Sequence, residues 1–287
     1  MTQRPIILLG AARSGTKLLR DLIATSVAVT AVPYDINYVW RVGNEGIPHD
    51  ESPVTEVTPS KSAFVRAQVD RLSEAPERGV RPIEKTVSNP LRLPYVAKVF
   101  PDADYVWLIR DGRDVAESAM RCWVEPPNSG ALLRKLREMP WRQTYKYAVG
   151  HGIRLAKQRF NPDSVLASWG PRYAGIDDDV RDRTLAEVCA LQWKRSVEAF
   201  ARDSHVLPSL VSVRYEDLAA KPGDVLFGLA EALALPDPDT VARRAAAVVR
   251  PDRVGGARAL SASDERLISS VLADTLSASE NPTEDPR

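Results

Sequence analysis

Two stretches of the chain gather the residue types that hold anions. Residues 10–17 read Gly-Ala-Ala-Arg-Ser-Gly-Thr-Lys, directly after the apolar run "PIILL" at 5–9. A glycine-bearing turn between a strand and a helix makes a concavity of backbone N–H groups at the positive end of the helix dipole, which suits a tetrahedral anion. In this turn Ser14, Gly15 and Thr16 offer N–H groups and hydroxyls, and Arg13 adds a planar fork of donors. Lys17 opens the helix and offers at most its backbone N–H. The second stretch is "YVWLIRDGRDVAESAM" at 105–120. Arg110 ends an apolar run at the carboxyl end of a strand, where open parallel sheets bind ligands. Ser118 shares a polar helix face with Asp114 and Arg121, opposite Val115, Ala119 and Cys122. Arg110 and Ser118 can therefore face one anion; the alternative is a solvated helix with ordinary ion pairs.

The first stretch departs from the Gly-x4-Gly-Lys-Ser/Thr phosphate loop only in its last two residues, which stand in reverse order. In that loop the lysine reaches the β- and γ-phosphates and the next hydroxyl holds magnesium. Here Thr16 has the lysine's place, and the cation has moved inside the loop as Arg13.

The elements that must position these residues follow from periodicity. The continuous apolar runs at 5–9 and 104–110 suit buried strands of a parallel sheet. Leu18 with Leu22 and Leu19 with Ile23 start a helix at the glycine loop. "RPIEKT" at 81–86 predicts a short strand, and Asn89-Pro90 predicts a capped helix start with Leu91, Tyr95, Val96 and Val99 facing inward. "SLVSVRYEDL" at 209–218 predicts a strand leading into a helix. Residues 43–60 read as a loop or lid. The expectation is an α/β fold of P-loop-like, three-layer type, with a central parallel sheet flanked by helices on both faces. One domain spans 1–276, with a mostly helical insertion at 125–205 and a disordered tail at 277–287.

Composition narrows the function. With 39 basic and 38 acidic residues the net charge is +1, so no overall field draws the 287-residue chain to nucleic acid or an anionic membrane. Cys122 and Cys189 make no disulfide framework, and with three scattered histidines, His49, His151 and His205, they give no metal-ligand spacing. No signal peptide and no membrane span is legible, so a cytoplasmic protein is expected.

The motif "ARSGT" resembles the 5′-phosphosulfate-binding loop of the sulfotransferases, Lys or Arg followed by Ser-Gly-Thr. Arg110 and Ser118 resemble that family's 3′-phosphate-binding pair, and "EKTVSNPLRLPYVAKVFPDADYVWLIRDGRDV" is similar to it throughout. The resemblance covers most of 5–123 and 207–235. It implies 3′-phosphoadenosine 5′-phosphosulfate as donor, with no metal. It implies donor contacts from Arg13, Ser14, Gly15, Thr16, Lys17, Arg110, Ser118 and Tyr215 of "VRYEDL", and Lys85 beside the transferring sulfuryl group. Trp193 and Arg195 are further candidates near the nucleotide or acceptor, and Arg253 and Arg258 are candidates to close over the 3′-phosphate.

The histidine base of the cytosolic branch is missing, since Lys85-Thr86 is followed by Val87. The resemblance therefore lies nearer to the bacterial, tyrosyl-protein and carbohydrate branch, which uses a carboxylate base. Asp35 in "VPYDINYVWR" is the candidate, against a turn or helix-cap role for the same residue; Glu45 and Glu51 follow on the loop. Tyr38, Trp40 and Arg41 line the acceptor pocket or belong to the core. The expected reaction is sulfuryl transfer to a hydroxyl of a small molecule or glycan, lipid or tyrosine, with oligomeric state open. The alternatives are a P-loop kinase and a catalytically inactive nucleotide-binding relative.

Overall fold

The computed structural model describes residues 4–74, 79–124, 169–250, 255 and 259–279. Five strands form one sheet: β1 (Ile6–Leu9), β2 (Val29–Ala31), β3 (Arg81–Glu84), β4 (Asp104–Ile109) and β5 (Leu210–Arg214). Their order is β2-β3-β1-β4-β5 and every pair is parallel. β1 is central, with Ile7 opposite Glu84 of β3 and Tyr105 of β4.

A parallel sheet is covered on both faces, so its strands carry apolar residues at every position and divide them by alternation. Ile7, Leu9, Tyr105 and Trp107 enter one core and Ile6, Leu8, Val106 and Leu108 the other. The first face is covered by α2 (Asn37–Trp40), α3 (Pro59–Leu72), α4 (Leu93–Val99), α5 (Gly112–Val124), α6 (Ile176–Asp182), α7 (Leu185–Asp203) and α11 (Ala262–Ser279). The second is covered by α1 (Thr16–Ile23), α8 (Tyr215–Ala220), α9 (Pro222–Ala232) and α10 (Pro238–Val248). The expected three-layer α/β architecture is the observed one.

Two local expectations change, and one strand was not read from the sequence. β2 has only three residues, too short for alternation to reveal it. Asn89 does not cap a helix: it opens a 3-10 turn, Asn89–Arg92, and α4 begins at Leu93. Its amide is taken instead by the carboxylate of Glu84. α11 runs to Ser279, past the point where the tail was expected to begin. Of the expected helical insertion, 176–182 and 185–203 are helical, and 125–168 lie outside the described residues.

Candidate active site

Every side chain of the site follows the carboxyl end of a strand: Arg13 after β1, Asp35 after β2, Lys85 after β3, Arg110 after β4 and Tyr215 after β5. This is the edge at which an open parallel sheet leaves room for a ligand. The crevice is thus set by topology before any side chain is considered.

In the β1–α1 loop, Gly15 sits at φ 95° at the N-terminus of α1, and Arg13 takes φ 72°. A left-handed arginine costs of order 1 kcal/mol and persists where the surroundings impose it, as loops that turn their N–H groups inward do. A Cβ on Gly15 would lie 2.6 Å from the Tyr215 ring, so this position takes glycine for space as well as for φ. The Ser14 hydroxyl is buried and, among the described residues, has no hydrogen-bond partner. Thr16 is buried, whereas the Lys17 side chain turns outward and pairs with Asp21 at 2.6 Å.

Arg13 Nε donates to Ser118 Oγ at 3.0 Å, which brings the loop onto α5. Arg110 lies over the Tyr215 ring, its guanidinium carbon 4.2 Å from the ring centroid, and pairs with Asp114 at 3.3 Å. Tyr215 is buried, with Gly15 against its edge and Arg110 on its face, so it sets the spacing between the β1–α1 loop and Arg110. Glu216 accepts from the Asp111 N–H at 2.9 Å and fixes the end of β4. Asp114 Oδ2 also accepts from the Gly255 N–H at 2.8 Å, bringing the chain at 255 beside Arg110. Arg253 and Arg258 lie outside the described residues. Trp193 is core: its indole N–H bonds the Arg110 carbonyl at 3.1 Å, and a Cβ on Gly112 would meet its ring at 2.9 Å. Arg195 pairs with Glu198 on the surface of α7. Arg121, expected on the Ser118 face, is exposed and pairs with Glu117.

Lys85 Nζ lies 3.8 Å from Asp35 Oδ2, with the lysine largely covered and Asp35 partly exposed. Asp35 is also a turn residue: Oδ1 accepts from the Asn37 N–H at 3.1 Å and Oδ2 from the Val87 N–H at 3.0 Å. The turn role and the place beside Lys85 are held by one carboxylate. Behind them stands Glu84, fully buried, which sequence reasoning passed over. Burial pushes its carboxyl up to about 7, and the Asp35 charge adds to this while the Thr86 hydrogen bond and Lys85 oppose it. Its signal was an acidic residue ending a strand otherwise buried on both faces.

The 43–60 segment is not a free lid. Asp50, 1 % exposed, accepts from Ser88 Oγ at 2.7 Å, Asn37 Nδ2 at 3.0 Å and the Arg172 N–H at 2.9 Å. Burial opposes its charge, but Arg92 and these donors hold it below the usual aspartate range. Glu51 accepts from the Ala174 N–H at 2.7 Å, so it anchors this loop to the chain before α6. His49 receives the Glu51 N–H, and Glu45 is exposed. Trp40 is core, in edge contact with Tyr95 and Phe100, and Arg41 pairs with Asp50. Cys189 is a buried thiol; Cys122 is partly exposed. No described helix is long and apolar enough to cross a membrane.

The arrangement can bind two anionic groups of one ligand, at the loop and at Arg110, with a lysine and a carboxylate at the adjoining strand ends. No curated protein matches the sequence. Among solved structures, a sulfotransferase of Mycobacterium avium, STF9, is similar at 14 % identity and TM-score 0.52, over 97 % of this chain and 77 % of that one. The sulfotransferase domain of the Synechococcus PCC 7002 olefin synthase is similar at 15 % identity and TM-score 0.50, over 95 % and 96 %. These likenesses concern the fold. The sequence profile of the Sulfotransferase family matches residues 5–167, more than half of the chain, and the protein belongs to that family.

Proposed function

We propose that this sulfotransferase takes 3′-phosphoadenosine 5′-phosphosulfate as donor and passes its sulfuryl group to a hydroxyl acceptor. The observation that supports the reading best is the Arg13–Ser118 contact, because it joins the loop after β1 to the helix after β4, as one nucleotide spanning both would require. The residues present fit the donor. The Ser14 hydroxyl, buried and without a partner among the described residues, and the N–H groups of Gly15 and Thr16 at the start of α1 would hold the 5′-phosphosulfate, with Arg13 beside them. Arg110, held on the Tyr215 face, and Ser118 would hold the 3′-phosphate. The bound donor supplies an activated sulfuryl group; the chain supplies position and charge.

Lys85 offers its ammonium to developing negative charge, and donors fixed before reaction stabilise charge without reorganising. Asp35 accepts the acceptor's proton in this reading, since it is partly exposed whereas the nearby Glu84 is sealed from any acceptor. Val87 stands where the cytosolic branch has histidine, and its N–H orients Asp35, which favours the carboxylate-base branch. Thr16 in the lysine's place of the ATP loop argues against the kinase reading.

Calorimetry tests the donor. Adenosine 3′,5′-bisphosphate is expected to bind more tightly than AMP or ATP with magnesium, and a preference for ATP with magnesium would favour a kinase. Mass spectrometry for sulfated products, with a panel of phenols, sugars, sterols and tyrosyl peptides, tests transfer. Asp35→Asn is expected to lower turnover about 10²-fold with nucleotide affinity unchanged. Donor binding without product from any acceptor would favour the inactive relative.

A further inference from the structure

Glu84 ends β3 and is wholly buried, yet it directly precedes Lys85. Its oxygens are all engaged: Oε1 with Thr86 Oγ1 at 2.5 Å and Trp40 Nε1 at 3.4 Å, and Oε2 with Asn89 Nδ2 at 3.1 Å. Thr86 Oγ1 in turn accepts from the Ile36 N–H at 3.2 Å. One step away, the Val87 N–H donates to Asp35 Oδ2 at 3.0 Å. Two bonds therefore join the 84–87 segment to the 35–37 turn, and Lys85 and Asp35 face each other between them at 3.8 Å.

A buried carboxyl is costly, and an apolar residue would end β3 at lower cost. What the carboxyl adds is direction. It fixes the Thr86 hydroxyl so that an oxygen lone pair is left for the Ile36 N–H, and that bond sets the height of the turn carrying Asp35. We infer that Glu84 and Thr86 are positioning residues for sulfuryl transfer, acting through the buried chain Glu84–Thr86–Ile36 to hold Asp35 and Lys85 in register. The inference rests on the roles proposed for Asp35 and Lys85.

Glu84 also titrates where its environment lets the chain respond. Asp35, Lys85 and Arg92 act on its charge directly, and Arg92 is itself under the charges of Asp50 and Arg41. Loss of the Glu84 proton leaves both oxygens as acceptors for Thr86, Trp40 and Asn89. Gaining it lets the carboxyl donate to Thr86 and turn the hydroxyl away from its present orientation.

The test combines turnover with a readout that needs no acceptor. Turnover is read as sulfate release from 3′-phosphoadenosine 5′-phosphosulfate without organic acceptor. Thr86→Val is expected to lower it about tenfold or more with adenosine 3′,5′-bisphosphate affinity unchanged, and Thr86→Ser to restore it. Glu84→Gln, which keeps the shape, is expected to flatten the rate profile near pH 7. Carbon-13 NMR of labelled glutamate carboxyls is expected to show one midpoint near pH 7. That midpoint is absent in Glu84→Gln, moves up in Lys85→Ala and moves down in Asp35→Asn. Wild-type turnover and pH profile in a folded Thr86→Val overturn the inference, as does a Glu84 midpoint indifferent to Lys85→Ala and Asp35→Asn. If the wild-type protein passes no sulfuryl group to water, the NMR response alone decides whether Glu84 is coupled to the pair, and the proposed reaction fails only if the acceptor panel also yields no sulfated product.

Discussion

Arg13 and Ser118, 105 residues apart, are joined by a 3.0 Å hydrogen bond, so the loop after β1 and the helix after β4 meet at one point. Ser118→Ala removes the acceptor at that point and a hydroxyl from the proposed 3′-phosphate site. The expected result is a roughly tenfold loss of adenosine 3′,5′-bisphosphate affinity, about 1.4 kcal/mol, with AMP affinity nearly unchanged. Calorimetry with the two nucleotides reads the difference directly; an equal loss for both would place Ser118 at the 5′ group instead.

Gly15 and Tyr215 make the second prediction. Gly15→Ala meets both the left-handed backbone and the Tyr215 ring at 2.6 Å, so destabilisation of about 1–3 kcal/mol is expected. Tyr215→Ala opens the space but leaves the φ strain and removes the face on which Arg110 lies. The double variant should therefore lose less stability than the sum of the two single ones, by urea unfolding. Strict additivity would show that ring and loop do not meet.

Arg13, Gly15, Thr16, Arg110 and Ser118 were legible because short-range spacing defines them: a loop between strand and helix, and a strand end with a helix face. The central strands were legible because apolar runs bounded by glycine or charge have few other uses in an α/β chain. Asp35 was legible as a candidate with two roles, and the fold assigns it the turn role without removing it from Lys85. What stayed hidden depends on long-range burial. Glu84 reads as an ordinary acid until Trp40 and Asn89 pack against it at the end of β3, and Asp50 reads as a loop aspartate until Ser88 and Arg172 arrive from distant segments. Of the two readings of 43–60, loop or lid, the anchored loop is the one found, since glycine, proline and acidic residues predict a loop but not what it is bonded to.

Asp50 supplies a stability prediction. Asp50→Ala strips the buried Arg92 of a charge partner and leaves Ser88 and Asn37 without their acceptor. Removing one partner from a buried charge network typically costs about 3–5 kcal/mol. Asp50→Asn keeps an oxygen acceptor and should cost less. Because Asp50 is held below its ordinary value, its contribution is full above the unfolded-state value and declines as pH falls through the folded one. Acid unfolding of wild type should thus be shifted relative to Asp50→Asn, with the gap between them narrowing toward low pH.

Glu84 gives the opposite sign. Its carboxyl is raised from an ordinary value of 4.5 to about 7, so between these limits the folded protein binds a proton that the unfolded chain has lost. Stability falls with pH wherever the native state binds more protons. This contribution is complete below about pH 4.5, declines toward pH 7 and stays constant above it, with an accumulated difference on the order of 3 kcal/mol. Glu84→Gln has no proton to lose, so its stability should rise relative to wild type across that window and then run parallel to it. Urea unfolding at intervals from pH 4 to 8 measures the gap. A gap that does not change with pH would mean that Glu84 binds its proton equally in the folded and unfolded chain, and the Thr86 hydroxyl would then meet no change of its partner near pH 7.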